Sequence, residues 1–296
     1  MQVFEMIRDN YPEYSNIEQY PADKTVCIRG THDEWGILSN FAITPIVVDG
    51  ITYDCTERLF HIMKFKPEAT EGIKEMMEVP SGMRIKMRIK HLYKEHPEWF
   101  HDHWPSMVVD AMKFCLVQKY EQSEAFRKEL ERSKGMFIVE DETSRKKGRD
   151  ADSWGVVLKG ETYVGPNLLG RLLMELRDGF LRIPQRRKTI KESEFAFRKD
   201  LVSVEMPDSV CVIEKSAFFD CENLESVKLS ENLEIIEAGA FMKCFKLRNV
   251  VIPLGVRYIG DDAFGMCHDI HLRIPKEARV SKTVFRESSN CSIEVY

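Results

Sequence analysis

From residue 195 to about residue 290 the apolar positions return every 23 residues: Ala217-Phe218, Ala240-Phe241 and Ala263-Phe264 are each followed three residues later by Cys221, Cys244 and Cys267. Each unit carries a short alternating stretch (SVEMP, SVKLS, NVVIP, HLRIP), which predicts a strand, and then a second apolar stretch such as VCVIEKSAF or LEIIEAGAF. One such unit cannot cover its own apolar face. Neighbours must stack, which makes alanine, phenylalanine, cysteine and leucine the rungs of a continuous core. Four copies are legible; the first, FAFRKDLVSVEMPDSVCVIE, is shortened and the last slips by about one residue. So short an array is expected to lean on the domain before it or to be closed by the irregular tail SSNCSIEVY.

The amino-terminal two thirds follow other periods. Residues 43–56 (ITPIVVDGITYDCT) predict two strands around the turn Asp49-Gly50, and a helix follows at once with Thr56 as N-cap and Glu57 in its first turn. On a helical wheel Glu57, His61 and Lys64 fall in one stripe about 60 degrees wide, flanked by Phe60 and Phe65, while Leu59, Ile62 and Met63 cover the opposite side. The stripe is either a solvated face on which Glu57 and Lys64 pair loosely, or the wall of a partly desolvated site. Helices are also predicted over 105–134, with Gly135 as its stop, and over 167–178. MFIVEDE between them reads as a strand, and SRKKGRDADSWGVVLKGETYVGPN as a glycine-rich, charged loop.

A chain of 296 residues suits two domains. The expected division is an extension over 1–26 packed on the first domain, a domain over 27–180, a basic linker over 181–194 (with Arg186, Arg187 and Lys188) and the repeats over 195–296. A net charge of −5 argues against a sequence-independent grip on nucleic acid by the whole molecule but permits small phosphorylated ligands. Acidic residues in the first turns exclude a signal peptide, and no segment reaches membrane-spanning length, so a cytoplasmic address with no membrane partner is expected. The eight cysteines are expected as free thiols, those in repeat register as packed core.

Several residues are candidates for chemistry. Trp154 and Trp35 suit either a stacked base or a buried ring; Arg29, Arg84 and Arg177 suit either phosphate contacts or surface ion pairs. The histidines of EHPEWFHDHW have no zinc spacing and read as a structural loop, so neither a metal nor a cofactor is expected. GxxxxGK, GxSxG and GxGxxG are all missing, which removes the commonest nucleotide and hydrolase signatures.

Leu38-Ser39-Asn40-Phe41, the run Val48-Asp49-Gly50 through Cys55-Thr56-Glu57, Met63-Lys64-Phe65, Lys119-Tyr120, Ile138-Val139-Glu140, Asp152-Ser153-Trp154-Gly155 and Gly165-Pro166-Asn167-Leu168-Leu169-Gly170 stand in the order found in the YbiA-like, or NADAR, proteins. The resemblance covers about 150 residues, half the chain. It implies an α+β fold, mainly helical with short strands, that cleaves ribosyl N-glycosidic bonds. The substrate it implies is either ADP-ribosylated guanine, in a nucleotide or nucleic acid, or a ribosylaminopyrimidine phosphate of riboflavin biosynthesis. By position the resemblance makes Glu57, Lys64 and Asp152 catalytic and places Ser39, Asn40, Trp154, Gly155 and Asn167 at the substrate; His61, from the helix stripe, and Arg29 and Arg84, as candidate phosphate contacts, join them on their own chemistry.

Two departures stand out. Many members carry an aspartate three residues before the tryptophan, where this chain has Ala151 between Asp150 and Asp152; the usual glutamine region of the helix reads Phe60-His61-Ile62-Met63. A non-catalytic reader of a modified nucleotide is therefore the alternative. The repeats resemble the leucine-rich repeats of the BspA-like type, a small β-solenoid-like array whose exposed strand face either binds a protein partner or is simply solvated.

Overall fold

The computed structural model describes residues 3–296 and separates into two compact units, Met1–Arg177 and Asp178–Tyr296. The first contains helices α1 (Val3–Asn10), α2 (Thr56–Ile62), α3 (Thr70–Glu78), α4 (Met83–Glu95), α5 (Val108–Gln122), α6 (Glu124–Arg132), α7 (Thr143–Lys146) and α8 (Leu168–Arg177). Among them lie short strands: β1 (Glu18–Pro21), β2 (Thr25–Ile28), β3 (Ile46–Val48), β4 (Ile51–Tyr53), β5 (Phe137–Glu140), β6 (Val157–Lys159) and β7 (Thr162–Gly165).

The predicted hairpin forms as β3 and β4, paired antiparallel with Val48 opposite Ile51. Asp49 and Gly50 both take positive φ (49° and 76°), the geometry a two-residue hairpin turn of matching twist requires. Two expectations are corrected. The helix predicted over 105–134 is two helices, because Ser123 takes an extended conformation and its hydroxyl accepts the Phe126 N–H, capping α6. The predicted glycine-rich loop contains α7 and the β6/β7 hairpin, which β1 extends to a three-stranded antiparallel sheet. In the described part of residues 1–26, β1 pairs with β7, and Ile7, Tyr11 and Tyr14 lie in the hydrophobic core of this unit. Residues 1 and 2 lie outside the described residues.

The second unit is a β-solenoid of about five turns with two strands per turn. One row of strands starts at Phe180, Ser203, Ser226, Asn249, His271 and Ser292; the other starts at Thr189, Val212, Ile235, Tyr258 and Arg279. Pairing is parallel, and the register reproduces the repeat: Ile213 opposes Ile236, which opposes Ile259. The slip seen in the last copy is visible as Asn249 opposite His271. The array starts earlier than residue 195. Strands Phe180–Arg182 and Thr189–Ile190 pair with the next turn and bury Ile183 and Ile190, so the supposed basic linker over 181–194 is the first turn of the solenoid. Its charges hid an apolar pattern of only a few residues. The tail is not a cap in the sense of a cover: Ser292–Val295 adds one more strand, exposed throughout.

Identical rungs stack as the repeat dictates. Phe195, Phe218, Phe241 and Phe264 form a column with centroids 5.2–5.4 Å apart, and Ala217, Ala240 and Ala263 are fully buried beside it. The cysteines add a ladder of their own: the Cys221, Cys244 and Cys267 thiols donate to the carbonyls of Phe195, Phe218 and Phe241 at 3.2–3.4 Å, tying each turn to the one before. On the more exposed face, charged side chains pair along the array, Lys228 with Glu205 at 2.9 Å and Arg273 with Glu294 at 3.5 Å.

Candidate active site

The site is built on α2. Thr56 is not its cap: Cys55 precedes the helix in an extended conformation, and the Glu57 N–H is held by the Asn40 carbonyl at 2.9 Å. The Ser39-Asn40 segment thus supplies a main-chain acceptor for a first-turn donor that a helix cannot satisfy internally. Lys119, on α5, fixes that segment in turn. Its ammonium is fully buried and donates to the carbonyls of Ile37 (2.7 Å) and Ser39 (2.8 Å).

Within α2 the polar stripe is not solvated. Glu57 and His61 are only 3% and 5% exposed, and His61 Nε2 lies 3.0 Å from Glu57 Oε1. Lys86 reaches the same oxygen from α4, at 3.4 Å, with its ammonium 4.8 Å from the Phe41 ring centroid. Lys64, partly buried just past the end of α2, has no carboxylate within ion-pair distance among the described residues. It sits instead against aromatic faces, 5.1 Å from the Phe60 centroid and 5.5 Å from that of Trp104. Trp154 meets Phe60 edge to face at 5.7 Å, so four aromatic and cationic side chains share one wall.

The electrostatics follow from burial around one anion. Burial pushes the Glu57 carboxyl up, but the His61 hydrogen bond and the charges of Lys86 and Lys64 outweigh it and hold it at about 2. Burial and the Lys64 charge pull His61 down to about 4 against the pull of Glu57, which leaves a neutral ring at neutral pH donating Nε2–H to the carboxylate. Burial lowers Lys64 to about 8, Glu57 opposing and Lys86 assisting. Three buried polar atoms on or beside α2 lack a hydrogen-bond partner in the protein: His61 Nδ1, Asn40 Oδ1 and Thr56 Oγ1. Such atoms are costly unless a ligand or water meets them.

The other expected residues are distributed as follows. Trp154 joins the wall, but Asp152 points to Lys146 (2.6 Å). Burial raises its carboxyl, and the Lys146 hydrogen bond and charge bring it below the ordinary range. Its neighbour Glu142, 7% exposed, is pushed up by burial and by the Asp152 and Glu140 charges. Asp150 pairs with Lys159 on the surface. Asn167 and Gly155 have their own structural contacts. Asn167, fully buried with φ 53°, gives Nδ2–H to the Ile138 carbonyl at 2.8 Å. Its N–H and those of Leu168 and Leu169 take the carbonyls of Gly155, Ser153 and Trp154, which fixes the Trp154 segment on the start of α8. A side chain at Gly155 would meet the Glu140 carbonyl at 2.5 Å, so only glycine fits.

Arg29 is committed to Asp141 and Tyr163, both at 3.0 Å, and Arg177 to the carbonyls of Ser133 and Met136. Arg84 is exposed on α4, whereas Lys86 two residues on faces Glu57. Trp35 lies under the Arg132 guanidinium at 3.7 Å. Sequence reasoning missed Lys86 and Trp104. MRIKMRIK alternates too regularly to single out one lysine, and Trp104 lay in the histidine-rich stretch read as a structural loop. That loop is joined to the site by the His101 N–H on the Lys64 carbonyl (3.0 Å); no group of metal-ligating side chains occurs among the described residues.

Lys119 makes a test of this scaffold. Burial lowers its ammonium from the ordinary 10.5 to about 7. The unfolded chain therefore binds the extra proton between about pH 7 and pH 10.5, and stability rises with pH across that window and is flat below it. Lys119→Met is expected to remove this slope. Between about pH 7 and pH 9 the wild type should gain on the order of 2–3 kcal/mol relative to the variant, read from denaturant midpoints. Parallel pH profiles for the two proteins would show that burial does not lower the Lys119 ammonium.

The comparisons agree with this division. Residues 28–181 match the NADAR domain, and residues 179–292 match six copies of the BspA type leucine-rich repeat region. The protein named N-glycosidase YbiA of Escherichia coli (strain K12) is 32% identical over 162 residues, 55% of this chain and 92% of that one. The solution structure of E. coli YbiA aligns at 30% identity and TM-score 0.41 over 52% of this chain and 83% of that one. A leucine-rich cell surface protein of Faecalibacterium prausnitzii aligns at 30% identity and TM-score 0.37 over 40% of this chain and 32% of that one. With more than half its length matched, the chain belongs to the NADAR family, and it carries a BspA-type leucine-rich repeat solenoid after that domain.

Proposed function

We propose that the amino-terminal unit is a ribosyl N-glycosidase, in which Lys64 attacks ribose C1′ and Glu57 stabilises the positive charge that develops there. The observation that supports it most is the Lys64 amine, held against Phe60 and Trp104 without a carboxylate of its own and lowered to about 8. At about pH 7 roughly a tenth of such a group is the neutral nucleophile, against well under a thousandth for an ordinary lysine. The name of the relatives, N-glycosidase, agrees with this chemistry.

In the reaction the Nζ lone pair forms a bond to C1′ while the bond from C1′ to the base nitrogen breaks, and the base leaves with that pair and takes a proton. The amine loses a proton, the sugar ring opens with O4′ protonated, and an iminium joins C1′ to Nζ. Water then adds to C1′ and releases lysine and free sugar. Trp154, Phe60 and Trp104 offer faces to a base, and His61 Nδ1 and Asn40 Oδ1 offer acceptors to hydroxyl or amino groups. The substrate classes we propose are ADP-ribosylated guanine and ribosylaminopyrimidine phosphate, neither needing a cofactor. One observation favours the second reading, a reader without turnover: the Asp152 carboxylate is engaged by Lys146 at 2.6 Å.

The deciding experiment incubates the protein with ADP-ribosylated guanosine, ADP-ribosylated DNA and a ribosylaminopyrimidine phosphate, with and without borohydride. Free base should be released from one of them, and reduction should leave a sugar adduct on Lys64. Trapping should rise about tenfold per pH unit up to about pH 8 and then level off, because deprotonation of Lys64 limits it. Tight binding of these probes without base release would establish the reader.

A further inference from the structure

Two lysines approach one buried carboxylate, and the one on the separate helix has taken it. Glu57 Oε1 lies 3.0 Å from His61 Nε2 and 3.4 Å from Lys86 Nζ, while Lys64, just past the end of α2, is left with aromatic rings. A buried anion recruits the nearest cation because separation in a poorly solvated place is costly. Without Lys86, that cation would be Lys64.

We propose that Lys86 is a positioning residue: it serves as the resident counter-ion of Glu57 and so keeps the Lys64 amine out of an ion pair and free to react. This rests on the reading of Lys64 as the group that attacks ribose C1′. The remaining neighbours do not offer a substitute. From α5, Cys115 faces the site as a thiol that burial keeps neutral. Lys119 on the same helix is spent on the carbonyls of Ile37 and Ser39. From α3 the buried positions are Gly72 and Met76, and from α4 Arg88 is turned to Glu75 and Glu95. At the end of β4, Asp54 is engaged by Arg58, which α2 directs away from Glu57. The Lys86 side chain is 41% exposed against 4% for Glu57, so the counter-ion stands on the solvent side of the carboxylate and can be replaced without opening the core.

The test reads the ionisation of Lys64 directly, without substrate. Trace acetic anhydride is added to the folded protein across a pH series, and acetylation of Lys64 is followed by peptide mass against a free-amine standard. In the wild type the labelling midpoint should lie at about 8. In Lys86→Met, which keeps the aliphatic stem, and in Lys86→Gln, it should move up by about one unit, and labelling of Lys64 at about pH 7 should fall roughly tenfold. Lys86→Arg should keep the wild-type midpoint. A midpoint unmoved or lowered in both neutral variants overturns the proposal. The two readings fail separately: a shifted midpoint with no borohydride adduct on wild type would leave the counter-ion in place and remove the nucleophile.

Discussion

Glu57→Gln is expected to lower base release by about 10²–10⁴-fold on the alkaline plateau, the usual range for removing a charge that acts on the reacting atoms. The substitution keeps the shape of the side chain and an oxygen for His61 Nε2–H, so the loss should be of rate and not of fold. Its value lies in two opposed effects. Glu57 raises Lys64, and its removal leaves only burial and Lys86, both of which lower that group further. The variant should therefore contain more neutral amine at about pH 7 than the wild type, and its pH midpoint should fall below 8. If supply of neutral amine were all that mattered, Glu57→Gln would be the faster enzyme at low pH. A rate within tenfold of wild type on the alkaline plateau, where both proteins have Lys64 deprotonated, would show that the carboxylate has no part in stabilising charge at C1′.

Phe241→Ala should cost roughly 3–5 kcal/mol, the largest stability loss predicted for the solenoid. Phe241 is fully buried and stacked on both sides, 5.2 Å from Phe218 and 5.4 Å from Phe264, with the rings within 9° of parallel. In a stacked array each turn is held mainly by its neighbours, so a cavity at one rung weakens the coupling of everything beyond it. The cysteines report this. Cys244 and Cys267 are buried free thiols, so a thiol reagent should label them slowly in the wild type and much faster in the variant. Cys55 and Cys115, buried in the core of the other unit, serve as the internal standard and should not change. Equal labelling of Cys267 in both proteins would mean that the column of rings is not what holds the turns together.

The repeat was legible because each rung states itself several times: alanine, phenylalanine, cysteine and leucine recur at 23 residues, and the strand pairing copies that spacing. The same redundancy was lacking at its start, where LRIPQRRKTI has few apolar residues and many charges, and the first turn was mistaken for a linker. In the other unit the hairpin at Asp49-Gly50 and the shared face of Glu57, His61 and Lys64 followed from local rules, turn chemistry and helical period, which need no knowledge of neighbours. Ser123 broke a helix that periodicity alone would have continued, because a hydroxyl cap competes locally with the main-chain ladder.

What the chain determined by itself was thus the period of the solenoid and the set of side chains that α2 presents together. Tertiary structure decided which of them met a partner. Lys86 lies 29 positions from Glu57 and Trp104 lies 40 from Lys64, and neither separation is a helical or strand period. Tertiary packing also sets the contacts of Asn167 and Gly155: Asn167 bonds the Ile138 carbonyl on β5, and the Glu140 carbonyl leaves no room for a side chain at Gly155. The physical reason is that ionisation and reactivity depend on burial and on the nearest charge, both properties of the packed molecule. A sequence names the groups, and only their surroundings decide which carboxylate is held ionised and which amine is left unpaired.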